Sequence, residues 1–236
     1  MELTSKKNIV MEKPSSVTEK IPSLKINEMY QSIQGEGAYT GFPCVFIRTT
    51  GCNLRCSWCD SEYSFYEGEH KTFEDITTYV KKFPNSIVEL TGGEPLLQKH
   101  AIELMQHLIE LDKTVLLETS GSKSIVNVPA QVHIILDLKA PGSGEVKKNF
   151  FDNLNFLKKT DDLKFIITNR EDFRWASQVV QDYKLYDKLL SPPIVQTAFG
   201  QLENQRLAQW VNESNILFRL GIQMHKYIYD PQARGV

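Results

Sequence analysis

The chain has 236 residues, 41% of them hydrophobic and 24% charged, with a net charge of −2 and a pI near 6.2. That is enough for one sizeable core with ordinary globular composition. It excludes a dominant nucleic-acid surface and a membrane anchor, since no run approaches the ~20 apolar residues a bilayer span needs. Four cysteines, three of them crowded together, are not a secreted disulfide framework and point to reduced thiols in the cytoplasm.

Residues 1–24 are polar, broken by Pro14-Ser15-Ser16, and lack the apolar core of a signal peptide. They read as a flexible extension ahead of one domain, 25–236. PCVFIRT (43–49) predicts a strand that stops just short of the cysteines. TFEDITTYVKKF (72–83) opens on Thr72 with Asp75 three positions on, a capping-box-like start, and then places apolar residues at helical spacing. SIVELTGGEP (86–95) predicts a buried strand entering a Gly-Gly turn. HAIELMQHLIELD (100–112) predicts a helix on Ile102, Met105, Leu108 and Ile109.

The alternation then repeats. TVLLETSG, VHIILDLK and LKFIIT predict strands, REDFRWASQVVQDY (170–183) a helix, PPIVQT a strand and ENQRLAQWVNE (203–213) a helix. ILFRLGIQMHKYIY predicts a last strand with an extension, and 140–160 is the loosest loop. Near-continuous apolar strands alternating with helices predict an α/β fold whose parallel strands are buried on both faces. Five or six such strands suit an open or incomplete barrel. Polar residues gather at the C-terminal strand ends, where parallel folds build active sites: Arg48, Thr91, Glu118 to Gly121, Asp137, Lys139, Gln196 and His225.

GCNLRCSWCD (51–60) holds Cys52, Cys56 and Cys59. Structural zinc wants four ligands, usually in two separated pairs. The remaining cysteine, Cys44, lies in an apolar strand and reads as a small buried hydrophobe, and His70, which could complete a Cys3His site, sits in the charged stretch EGEHK. Clustered soft thiolates suit an iron–sulfur cluster. Three cysteines on a four-iron cluster leave one iron open to a small molecule.

CxxxCxxC with Trp58 before the last cysteine, followed at the next strand end by GGEP (92–95), resembles the radical S-adenosylmethionine (SAM) superfamily. Within it, MYQSIQGEGAYTGFPCVFIRTTGCNLRCSWCDS and GIQMHKYIYDP are similar to the opening and closing segments of the 7-carboxy-7-deazaguanine synthases. That likeness spans residue 26 to the C-terminus. It implies a partial TIM-like β/α barrel, a [4Fe–4S] cluster, SAM and Mg2+. It also implies conversion of 6-carboxy-5,6,7,8-tetrahydropterin to 7-carboxy-7-deazaguanine, by a 5′-deoxyadenosyl radical and ring contraction with loss of ammonia, in the queuosine pathway. Residue by residue, it implies the cluster on Cys52, Cys56 and Cys59, and SAM against Trp58, Asp60, Gly92, Gly93, Glu94, Ser120, Asp137, Lys139 and Gln196. Here Trp58 would pack on the adenine, the two glycines would let the protein backbone approach SAM and Glu94 would accept its ammonium.

The pterin would meet Ile33, Gln34, Gly35, Glu36, Arg48, Thr91, His225 and Pro231, with Arg48 forking its carboxylate and Glu36 facing its N–H edge. Ser61 stands where the family usually has threonine and would ligate magnesium, keeping the oxygen and losing a methyl group. QARGV runs on past Pro231. A homodimer and an external flavodoxin- or ferredoxin-like reductant are also implied. His107 and His133 fall on structural periodicities, and His100 opens a helix. Other radical SAM readings fit less well. A glycyl-radical activase would bring further cysteines and a charged docking face, and a tRNA-modifying enzyme a basic stripe. A plain electron carrier leaves GGEP and Arg48 without a role.

Overall fold

The Val-, Ile- and Leu-rich runs fold as strands where the pattern places them. The computed structural model describes residues 21–236. The expected extension, 1–24, lies outside the described residues up to residue 20, and its last two residues are no extension, for Ser23 and the buried Leu24 open β1. In chain order the elements are β1 (Ser23–Ile33), β2 (Pro43–Thr49), β3 (Glu69–Thr72), α1 (Phe73–Val80), β4 (Ile87–Gly92), α2 (Ala101–Glu110), β5 (Val115–Thr119) and β6 (His133–Leu138). They continue with β7 (Asp162–Ile167), α3 (Arg170–Asp182), α4 (Leu185–Lys188), β8 (Ile194–Thr197), α5 (Asn204–Asn212), β9 (Arg219–Gly221) and α6 (His225–Ile228).

Among the described residues nine strands join one open sheet in the order β3-β1-β2-β4-β5-β6-β7-β8-β9. β2 and β4 to β9 run parallel. β1 pairs antiparallel with β2 and with β3. The architecture is the expected partial α/β barrel, larger than the five or six strands the apolar runs suggested. β1 escapes detection because SLKINEMYQSI buries only Leu24, Ile26 and Ser32. The last segment differs too, for only three of its residues pair as β9 before the chain turns into α6.

Local chemistry sets the helix starts. Thr72 Oγ1 accepts from Asp75 N at 3.1 Å while Asp75 Oδ2 accepts from Thr72 N at 2.8 Å, the reciprocal box read from the sequence. Asn169 Oδ1 accepts from the backbone N–H of Glu171 (2.9 Å) and Asp172 (3.0 Å) and starts α3. The outer sheet face packs on the helices through Ile47, Leu90, Leu117, Leu136, Phe165, Leu104, Leu108 and Ala176. Each large side chain so buried stabilises the fold by about 1.5–3 kcal/mol.

The inner face departs from the expectation of strands apolar on both sides. Its lower end is apolar, a separate cluster of Cys44, Phe46, Ile87, Leu116 and Ile135. Two residues further along the same strands the pleat presents Arg48, Glu89, Glu118 and Asp137 on the same side. The upper inner face is therefore charged, and it lines a chamber of about 600 Å³.

Candidate active site

The cysteine loop leaves β2 and lies across the mouth of this chamber. Backbone bonds hold it: Glu94 N to Gly51 O (2.9 Å), Gly51 N to Ser64 O (2.9 Å) and Ser57 N to Ser143 O (3.0 Å). Cys52, Cys56 and Cys59 are free, half-buried thiols lining the mouth. Burial pushes the Cys56 thiol up to about 11 and raises Cys52 as well. Among the described residues no three His, Cys, Asp or Glu side chains converge as one metal ion requires.

The Gly-Gly turn sits directly beneath. A Cβ on Gly92, at φ +143°, would fall within 2.6 Å of Thr49 backbone atoms; one on Gly93 would fall 2.7 Å from Cys52 Cβ and closer still to Gly51 O. Apart from any ligand, Gly92 is demanded by the end of β2 and Gly93 by the close approach of the cysteine loop.

Glu94 differs from expectation. It is 0% exposed and does not line the chamber. It accepts from Leu96 N (3.1 Å), Thr119 Oγ1 (2.9 Å), Ser120 N (2.9 Å) and Ser120 Oγ. With both oxygens taken, it ties the β4 turn to the end of β5 and is not free for a ligand ammonium. Asp60 likewise reaches away from the loop, to Lys226 Nζ at 2.8 Å and Gln223 Nε2 at 3.3 Å. Lys226 holds its carboxyl below the usual range against the opposing effect of burial. Asp60 therefore joins the cysteine loop to α6.

Two buried polar atoms at the mouth have no partner among the described residues: Trp58 Nε1 and Asp137 Oδ1. The other Asp137 oxygen accepts from Lys139 Nζ at 2.9 Å, and that ammonium lies 4.8 Å from the Trp58 ring. Trp58 is thus flanked by a cation, a neighbour the sequence did not indicate. Ser120 and Gln196 complete the rim from β5 and β8. Three thiols on one loop, a turn stripped of Cβ atoms and two orphaned polar atoms fit a cluster with a polar organic ligand.

The chamber below is built around Lys164, which the sequence reading passed over as part of an apolar strand. Its ammonium is 2.6 Å from Glu36 Oε2, in contact with Glu118 Oε1, and 3.9 Å from Asp137 Oδ2. Burial alone would raise the Glu36 carboxyl, but Lys164 outweighs it and holds Glu36 below the ordinary range. Burial raises Glu118 in spite of Lys164, and raises Glu89 far more, helped by the charges of Glu118 and Glu36. Gln34 Nε2 donates to Glu89, and Gln34 Oε1 accepts from Glu36 N at 3.0 Å.

Arg48 is not the free fork expected. Its Nε donates to Glu28 Oε1 at 2.8 Å and one Nη to Tyr30 Oη at 2.9 Å, because Glu28 lies directly opposite in the β1–β2 register. Tyr63 Oη donates to the same Glu28 oxygen at 2.8 Å. Thr91 sits beside Arg48 in the β2–β4 register and borders the chamber with Ile33. Gly35 gives its carbonyl to Met224 N at 3.1 Å, and a Cβ there would collide with the His225 ring. Gly35 therefore seats α6 and is not itself on the chamber wall. His225 is on the wall, its imidazole lowered by burial despite Glu36. Pro231 lies at the rim with Gln232 and Val236, so the chain past Pro231 returns to the mouth. His107 stacks on Phe73, His133 binds Asp162 Oδ2 at 3.0 Å and His100 precedes α2.

The profile of the Radical SAM superfamily matches residues 46–140, the stretch from β2 through the cysteine loop to Lys139. With the open barrel and three-thiol mouth, this defines the chain as a radical SAM protein, a class that implies a [4Fe–4S] cluster and SAM. It is 41% identical over 226 residues to a 7-carboxy-7-deazaguanine synthase of Koribacter versatilis, spanning 90% of this chain and 100% of that one. It is 36% identical over 218 residues to one from Chlorobaculum tepidum, spanning 90% and 97%. The chain belongs to the 7-carboxy-7-deazaguanine synthase family and is an enzyme. QueE from Escherichia coli shares the fold, with a TM-score of 0.67 at 23% identity over 86% of this chain and 95% of that one.

Proposed function

We propose that the enzyme converts 6-carboxy-5,6,7,8-tetrahydropterin to 7-carboxy-7-deazaguanine, with loss of ammonia. One juxtaposition carries this reading: the three-thiol mouth and the Gln34–Glu36–Lys164 chamber open into a single cavity of about 600 Å³. Cys52, Cys56 and Cys59 would hold the cluster, which with SAM supplies abstraction of a hydrogen atom from the pterin. The rest is positioning. Asp137 Oδ1 offers an acceptor to a ribose hydroxyl, Ser120 and Gln196 flank it, and the Gly92–Gly93 backbone borders the methionine end. Glu36, kept ionised by Lys164, accepts from the aminopyrimidone N–H groups. Arg48, with two of its nitrogens committed, has an edge left for the pterin carboxylate, and α6 covers the ring with His225.

Magnesium would take Ser61 Oγ, 3.8 Å from Cys59 Sγ. Electrons would come from an acidic flavodoxin- or ferredoxin-like reductant. The cysteine loop is supported by segments 121–124 and 142–150, and together these carry exposed Arg55, Lys123, Lys147 and Lys148 against two acids, Glu145 and Asp60, the latter paired with Lys226. A homodimer is favoured by the apolar side chains left open near the β9 edge, Leu217, Ile222, Tyr227 and Ile228. Four free thiols favour the cytoplasm, and no helix among the described residues is long and apolar enough to cross a membrane.

The test is anaerobic reconstitution followed by incubation with SAM, dithionite and the pterin. Formation of the deazapurine chromophore is expected. 5′-Deoxyadenosine without that chromophore would refute the substrate assignment alone.

A further inference from the structure

We infer that Glu89 serves the chamber as a neutral carboxylic acid, a hydrogen-bond donor that reads an acceptor on the substrate's heterocycle. The ligand half of this inference rests on the substrate class proposed above. Glu89 lies in mid β4, 1% exposed, between Ile87 of the apolar floor and Thr91 of the rim, and it borders the cavity.

Every buried cation nearby is engaged elsewhere. Lys164 serves Glu36, Glu118 and Asp137; Lys139 serves Asp137; Arg48 serves Glu28. Among the described residues no ion pair reaches Glu89. The three carboxyl groups Glu36, Glu118 and Asp137 already outnumber the ammonium groups of Lys164 and Lys139 that serve them. A further charge on Glu89, buried beside Glu36 and Glu118, would have no ion-pair partner, with Lys164 and Arg48 offsetting it only in part, and the group escapes that cost by keeping its proton.

The hydrogen bonds then settle which oxygen carries it. Gln34 Oε1 accepts from the Glu36 backbone N–H at 3.0 Å, which turns the Gln34 amide nitrogen toward Glu89 Oε2. Oε2 is an acceptor in that bond, so the proton resides on Oε1 and is available to the chamber. Through Gln34, the neutral acid Glu89 and the carboxylate Glu36 form a donor and an acceptor on one wall. An aminopyrimidone edge presents the complement, a carbonyl beside N–H groups. An ionised Glu89 would repel that carbonyl.

The experiment compares wild type, Glu89→Gln and Glu89→Leu. Infrared difference spectra of cluster-loaded protein at pH 7 are expected to show a protonated-carboxyl C=O band in wild type that Glu89→Gln lacks. Glu89→Leu, with no donor, raises KM for the pterin roughly 10- to 100-fold. Glu89→Gln, which keeps an N–H donor, recovers most of that loss. Iron loaded per chain and the affinity for SAM are read alongside, so that a loss confined to the pterin KM is separated from a damaged mouth. Absence of the carboxyl band, or a Glu89→Gln KM as high as that of Glu89→Leu, overturns the inference. If wild type shows the band but forms no deazapurine from the pterin, the protonation stands and the substrate assignment falls.

Discussion

Lys164→Met is the sharpest single perturbation of this molecule, because one ammonium serves three carboxylates. Its side chain is 3% exposed, and its partners Glu36 and Glu118 lie at 10% and 26%. Removing one partner of a buried pair costs about 3–5 kcal/mol. The orphaned carboxylates reduce that cost by taking up protons, which makes the loss depend on pH. In the wild type Glu36 titrates below its ordinary value, so its contribution is present above the unfolded pKa of about 4.3 and is lost as pH falls through the folded value. Without Lys164, burial is opposed only by His225 and the Gln223 hydrogen bond and raises Glu36, so folding then takes up a proton and stability falls as pH rises above about 4.3.

The deficit of the variant should therefore widen between pH 5 and pH 7, by up to about 2.7 kcal/mol for a carboxylate that stays protonated throughout. The partial exposure of Glu118 reduces its share. Urea unfolding of the cluster-free chain at pH 5, 6 and 7 measures it. The expected deficit is about 3–5 kcal/mol at pH 7 and about 1–2 kcal/mol at pH 5. A deficit below about 1 kcal/mol at pH 7, or one that does not change with pH, would refute a chamber built on a shared buried ammonium.

Gly93→Ala should fold yet load little iron on anaerobic reconstitution, because the new Cβ would displace the Gly51–Cys52 backbone; iron per chain decides it, and normal loading would count against the packing role of the glycine. Glu94→Ala should lose at least about 3 kcal/mol of stability by stranding the Leu96, Thr119 and Ser120 donors at a fully buried site. If it instead raised KM for SAM at unchanged stability, the ligand role read from the sequence would be restored. Reversing Arg55, Lys147 and Lys148 to glutamate should slow turnover driven by an acidic flavodoxin about 10-fold at low salt and leave dithionite-driven turnover unchanged. Equal effects with both reductants would move those residues from docking to loop structure.

The parts whose chemistry is local were legible in the order of residues alone. CxxxCxxC, GGEP, the Thr72–Asp75 cap and the apolar runs of β2, β4 and β5 to β8 each announce themselves within about ten residues, because thiol spacing, capping and strand pattern are short-range properties. Tertiary structure decided the pairings. β1 is half-exposed and its polar composition hides it, yet its register sets Glu28 against Arg48 and removes the free fork. Glu94 looked like a ligand because it follows the glycines, but only the return of β5 shows that Thr119 and Ser120 consume its carboxylate. Lys164 stood unnoticed between Leu163 and Phe165 because a strand reports its period and not its partners. Glu36, Glu89, Glu118 and Asp137 are scattered over a hundred residues, and only the pleat and parallel registers turn them to one side. That arrangement fixes which groups share a charge, since desolvation and Coulomb energy depend on distances in space that sequence spacing does not encode.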